Sequence, residues 1–208
     1  MGIAAPTLLR RFAAHLSRLF GPRPTVATVE QLAAQLAAHA MFVSQKCTTE
    51  YLRLRAGVSW EALCRDPVFG DGYERSRWAA YVRSLGDVAE VCENVFRADG
   101  RSFAVIEATV PAAAEAALAL YPDPKGDPFF PEAADEMRLR LARRRAEPPR
   151  SLRRIGTGSA KRIMALLPFD ERLQAADLDY MANNLSFALG QVHERLRAEL
   201  DTDALLPD

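Results

Sequence analysis

An all-α fold, a single helical bundle of about six to eight mostly antiparallel helices, is predicted by three features of the sequence. Apolar residues return every three or four positions over long stretches, which is the spacing of one buried helix face. Capping residues and Pro or Gly breaks fall between those stretches. The one segment with strand-like content, FAVIEATV, has no second strand to pair with, and a lone strand leaves its backbone groups unsatisfied.

The elements follow in order. TLLRRFAAHLSRLF places Leu8, Leu9, Phe12, Leu16, Leu19 and Phe20 on one side and Arg10, Arg11, Ser17 and Arg18 on much of the rest, and GPRP stops it. This predicts an amphipathic N-terminal helix, an arm over residues 1–24, with the bundle domain over 25–208. Thr28 and Gln31 have capping-box spacing, and Val29, Leu32, Leu36, Ala40, Val43, Cys47, Tyr51 and Leu54 form one stripe running to Gly57. In the middle of it SQKCTTE is poor in helix formers. Cys47 falls on the stripe, Lys46 and Glu50 form an i,i+4 pair, and Ser44 and Thr48 are expected to bond back to carbonyls one turn earlier. Ser59 is expected to cap a short helix ended by Pro67, and FGDG to form a turn.

Residues 73–97 give the broadest apolar face, through Trp78, Val82, Leu85, Ala89, Cys92 and Phe96, and predict the central helix. RSFAVIEATVPAAAEAALALYP reads as a helix kinked or restarted at Pro111. DPKGDPFFP is a proline-rich loop, and Pro131 suits the first turn of the next helix. A short helix ends at Pro168, with Ser159 as its expected N-cap. The last helix starts near Asp177, with Met181, Leu185, Ala188, Val192 and Leu196 toward the core. The tail TDALLPD is expected to fray.

The totals narrow the function. Basic and acidic residues number 27 each among 208, so no whole-chain field recruits nucleic acid or anionic lipid. Only three of the basic residues are lysines, a compositional skew that carries no functional weight. Three cysteines without CxxC spacing argue against a disulfide framework and for a reducing compartment. No apolar run is expected to reach the roughly 18–20 residues that span a bilayer. Arg10 and Arg11 interrupt the early apolar stretch, against a cleavable signal. A cytoplasmic protein, in part associated with a membrane surface, is the expectation.

Catalytic and metal motifs are missing. No glutamate stands three residues before His15, His39 or His193, HExxH does not occur, and no cysteine–histidine cluster has zinc spacing. Cys47 is the best nucleophile candidate, but its stripe position predicts burial. GTGSAK matches neither G-x-S-x-G nor the P-loop, although amides near Ser159, helped by Lys161 and Arg162, are an anion candidate. Glu90 and Glu93 have i,i+3 spacing suited to a metal, yet as charged residues they are expected on a solvated edge. No cofactor or metal is expected.

The sharpest local feature is the run Arg138, Arg140, Arg143, Arg144, Arg145, Arg150, Arg153 and Arg154, joined by Lys161 and Arg162. It lacks interleaved aromatics and is broken by Pro148 and Pro149, which counts against stacking on single strands or helix-turn-helix binding of nucleic acid. The expected function is therefore a non-enzymatic interaction or assembly protein. It would turn these arginines to an acidic protein surface or an anionic membrane surface, with a second copy of the chain as another partner to consider. The alternatives are a small-molecule or lipid-binding bundle with a cavity lined by Phe42, Cys47, Trp60, Trp78, Tyr81 and Phe96, or an enzyme whose site converges from several helices.

Overall fold

In the computed structural model, residues 25–121, 129–143, 148–168 and 170–206 are described. The expected N-terminal arm, most of the proline-rich loop, Arg144 and Arg145 lie outside them. Among the described residues the fold is the all-α bundle that the periodicity predicts. Six longer helices carry the packing: α1 (Val29–Gln45), α4 (Pro67–Ala98), α5 (Phe103–Leu120), α6 (Phe129–Arg143), α7 (Leu152–Met164) and α9 (Leu178–Glu199). Short helices turn the corners: α2 (Tyr51–Ala56), α3 (Trp60–Arg65), α8 (Glu171–Ala176) and α10 (Thr202–Leu205).

α1 starts on the expected capping box. Gln31 donates its backbone N–H to Thr28 Oγ1 at 3.3 Å, and Thr28 donates its own to Gln31 Oε1 at 3.2 Å. The unbroken stripe does not hold, because Lys46–Glu50 forms a π turn. One extra residue in a turn rotates everything after it by about 100°. Cys47, Thr48, Tyr51 and Leu52 are buried, whereas Leu54, expected on the stripe, is 62% exposed.

The weak helix formers sit at this turn and bond across it. Thr48 Oγ1 donates to the Ser44 carbonyl at 2.8 Å, as expected. Ser44 instead donates to the Arg77 carbonyl on α4 at 3.0 Å, and Asn184 Nδ2 on α9 donates to the Lys46 carbonyl at 3.4 Å. Lys46 and Glu50 pair at 2.8 Å. At the far end Gly57 takes a positive φ of 53°, which a residue with a Cβ adopts only at a cost.

α4 begins six residues earlier than the sequence suggested. Asp66 caps it, accepting the Phe69 N–H at 2.9 Å, and Pro67 fits the first helical turn, so FGDG continues as helix rather than turning. Ser59 contributes no side-chain cap to α3, since a 3₁₀ turn at Gly57–Ser59 feeds it directly. The prediction of a central helix holds: α4 packs against α1, α5, α6, α7 and α9. Val82, Leu85, Ala89, Cys92 and Phe96 are buried, and Trp78 is half-buried at the margin.

α5 is one helix through Pro111, capped by Ser102, and its Ile106, Val110, Ala113, Ala114 and Ala117 are buried. It also corrects the expectation about apolar runs: its 18 residues reach a mean hydropathy of 1.6, long and apolar enough to cross a membrane by length and composition. Here one face packs on α1 and α4 as a core helix.

α9 lies antiparallel to α1 and buries the five core residues expected of it. Tyr51 donates its hydroxyl to Asp177 at 2.7 Å, Arg55 pairs with the same carboxylate, and Gln35 reaches Glu199 at the other end. There Val26 and Leu200 form an isolated parallel bridge, with Val26 N–H donating to the Glu199 carbonyl at 2.8 Å. The expected fraying is corrected over the described part of the tail. Asp201 caps α10, and Leu205 and Leu206 are buried, so hydrophobic burial anchors the segment.

Candidate functional site

The middle of α4 carries Asp87, Glu90 and Glu93 at steps of three, which puts them near one face of the helix. All three are buried, and the expected solvated edge for Glu90 and Glu93 is corrected. Burying a carboxylate costs several kcal/mol unless a counter-charge and hydrogen bonds come with it. Glu93 pairs with Arg97 one turn on in α4 at 3.9 Å, whereas the counter-charges of Asp87 and Glu90 come from the arginine run. Arg140 on α6 donates Nη2 to Glu90 at 2.7 Å and pairs with Asp87. Arg150, just before α7, donates Nε to Glu90 Oε1 at 2.6 Å and Nη2 to Oε2. Asn94 Nδ2 fixes the same segment by donating to the Arg150 carbonyl at 2.9 Å.

Ser159 completes the cluster. Its hydroxyl donates to Asp87 Oδ1 at 2.7 Å, while Asp87 Oδ2 is buried without a hydrogen bond. Burial pushes the Asp87 carboxyl above its usual range, against the pull of Arg140 and the Ser159 hydroxyl. Burial works against the charged Arg140 as well, but Asp87 and Glu90 outweigh it and hold the guanidinium firmly protonated.

Ser159 is therefore no N-cap. α7 begins at Leu152 on Ser151, whose Oγ accepts the Arg154 N–H at 3.3 Å, so GTGSAK lies inside the helix with its amides already committed. Its small residues serve packing. A Cβ on Gly156 would stand 2.6 Å from Ser186 Oγ and 2.9 Å from its backbone N, so the absence of a side chain lets α7 and α9 meet closely. Two residues on, Gly158 faces outward, where a Cβ would meet nothing within 4 Å.

Above the buried cluster, α6 and α7 leave a groove of about 260 Å³. Arg140 and Arg150 form its inner wall with Ser159, and Arg143, Arg162 and Leu139 its outer edges. Glu136 also lines it and is held by Arg83 on α4 and Arg162 on α7.

The arginine run thus divides. Arg140 and Arg150 are mostly covered; Arg143 and Arg162 edge the groove. Arg153, Arg154 and Lys161 are exposed on α7, and among the described residues neither they nor Arg143 make an ion pair. Arg138 turns away from the groove to Glu115, at 2.7 and 2.9 Å, and to Asp135 at 2.8 Å. Of the residues proposed for a ligand cavity, Cys47, Tyr81 and Phe96 are fully buried in the main core, while Phe42, Trp60 and Trp78 are partly buried against it. None of the six lines the groove.

Burial sets the state of the candidate nucleophile and of one histidine. The Cys47 thiol is pushed far up, chiefly by burial, so it is not a thiolate. His39 is buried and lowered to about 4, by burial first and by Arg195 second. His193 lies at the surface beside Glu194. Among the described residues no group of three or more His, Cys, Asp or Glu is placed to hold a metal. The sequence reading missed the buried Asp87–Glu90–Arg140–Arg150 cluster. The available signal was acids at three-residue steps within the helix with the broadest apolar face. No known family matches this chain, and comparison with curated proteins and with solved structures finds none similar to it.

Proposed function

We propose that this chain is a non-enzymatic interaction protein that receives an acidic segment of a partner protein in the groove between α6 and α7. The observation that carries the reading is the convergence of Arg143, Arg150 and Arg162 on one open recess, beside the exposed Arg153, Arg154 and Lys161 on α7, which make no ion pair among the described residues. Arg150 is held by the buried Glu90 and is already oriented, so less rotamer entropy is lost when a carboxylate docks on it. A polypeptide suits the recess better than a flat anionic membrane does, because Arg150 is about three-quarters covered and Leu139 is the exposed apolar residue at the rim.

Poly-glutamate labelled with a fluorophore tests this by anisotropy at several salt concentrations. Wild type is expected to bind it with an affinity that falls as salt rises. Replacing Arg143, Arg154 and Lys161 together by glutamate is expected to abolish binding while helicity by circular dichroism stays unchanged. Equal binding by that folded variant overturns the proposal.

A further inference from the structure

The groove holds more positive charge than its own carboxylates use. Among the described residues Arg83, Arg140, Arg143, Arg150 and Arg162 stand in or against it, facing Asp87, Glu90 and Glu136, an excess of two positive charges. Unspent donors point the same way. Among the described residues the bonds of Arg150 to Glu90 use Nε and Nη2 and leave Nη1, and Arg162 spends Nη1 on Glu136 and keeps Nη2. Arg143 makes no ion pair among the described residues. A guanidinium carries five N–H donors, so three such groups offer more than a side-chain carboxylate, with two oxygens and one charge, can take up. A phosphate monoester brings three acceptor oxygens and close to two negative charges at neutral pH.

The inner wall explains why these charges stay available rather than collapsing on the carboxylates. Glu90 is bound by Arg140 and Arg150 together, and Asp87 by Arg140 and Ser159. Glu136 is held by Arg83 and Arg162. Each acid is already engaged, and Arg143, Arg150 and Arg162 line a recess that Gly158 also lines, a position without a side chain to obstruct entry.

We infer that the groove is a phosphate-monoester site for a phosphorylated side chain on the partner's acidic segment, with Arg143, Arg150 and Arg162 as its ligands. This rests on the interaction reading above and narrows it from acidic to phosphorylated.

The test uses the full chain and three labelled peptides of glycine, serine and glutamate, identical except for one central residue: serine, glutamate or phosphoserine. At equal salt the phosphoserine peptide is expected to bind roughly tenfold or more tighter than the glutamate peptide, the effect of adding charge-assisted bonds. Millimolar inorganic phosphate is expected to compete. Gly158→Asp places a carboxylate at the open side, where there is room for it, and should remove the preference without unfolding the helix. Arg143→Ala should reduce it severalfold, and keeps the test open if the aspartate disturbs the fold.

Equal affinity for the glutamate and phosphoserine peptides overturns the phosphate assignment while poly-glutamate binding leaves the interaction reading standing. Loss of both kinds of binding overturns both. Phosphatidic-acid vesicles that bind more tightly than the phosphopeptide, with the same sensitivity to Gly158→Asp, would assign the site to a lipid surface and overturn the partner assigned here.

Discussion

Arg140 and Arg150 come from the same stretch of sequence as Arg143, Arg153 and Arg154, yet the two sets live in different media. The first pair lies mostly covered against Asp87 and Glu90, two carboxylates with no exposure at all. The second set stands in water with no ion pair among the described residues. A run of basic residues is therefore not one basic surface: part of it is consumed in neutralising acids buried on α4. The contrast is sharpest in energy. Removing one partner of a buried ion cluster leaves a charge without compensation, which costs about 3–5 kcal/mol. Arg140→Ala is expected to destabilise by that amount in urea unfolding, whereas a loss below about 1 kcal/mol would erase the distinction between inner and outer arginines.

The same contrast recurs between two histidines. His193 lies at the surface beside Glu194, but His39 is buried with Arg195 as the charge acting on it, of the sign that its own proton would carry. His39 therefore stays neutral in the fold. Its folded value of about 4 lies below the ordinary 6.5, so its contribution is fully present above pH 6.5 and is lost as the pH falls toward 4. The loss is about 1.4 kcal/mol per pH unit inside that window, about 3 kcal/mol in all. Unfolding measured for wild type and His39→Gln across pH 7 to 4 should show the variant free of this slope. Parallel curves would mean that the imidazole takes up its proton without penalty.

Glycines on α7 offer a third pairing, two residues apart. A methyl on Gly156 would press on Ser186 Oγ at 2.6 Å and on its backbone at 2.9 Å, and backbone cannot swing aside as a side-chain tip can. Gly156→Ala is expected to cost about 1–3 kcal/mol, the usual range for overpacking, less what alanine returns in helix propensity. Gly158 has open space at that position, so Gly158→Ala should stabilise by about 0.5–1 kcal/mol. Opposite signs in thermal melts check the pair, and equal signs would place the α7–α9 contact elsewhere.

These cases show what the sequence made legible. The helices of the core were readable because Leu32, Leu36, Leu85, Leu185 and Val192 repeat at a helix's own period and are buried where that period puts them. Phase was less readable. The π turn at Lys46–Glu50 inserts one residue without breaking the chain of apolar residues, so the error shows only downstream, at Leu54. Helix starts were ambiguous where two signals competed: Asp66-Pro67 starts α4, and the glycines of FGDG yield to it. The site was half legible. The arginines were visible as a run, but their division depends on Asp87 and Glu90, some 50 to 60 residues away, and only three-dimensional packing brings them to Arg140 and Arg150. Charge alone suggested that Glu90 would be solvated; a counter-charge from a distant helix makes its burial tolerable.

The smallest expected effect tests the outer set directly. Arg154 and Lys161 lie exposed on α7 and touch no acid among the described residues, so truncation removes neither packing nor an ion pair. Arg154→Ala combined with Lys161→Ala is expected to change stability by no more than about 0.5 kcal/mol, as surface substitutions away from special features do. The same double variant should bind poly-glutamate more weakly and show a shallower dependence on salt, because two of the charges that attract the polymer are gone. Lysine sits near the C-terminal end of α7, where its charge favours the helix dipole by a few tenths of a kcal/mol, so a slight destabilisation is the sign to expect. A double variant that is strongly destabilised would mean that these side chains hold the bundle together, and the division between inner and outer charges would fall.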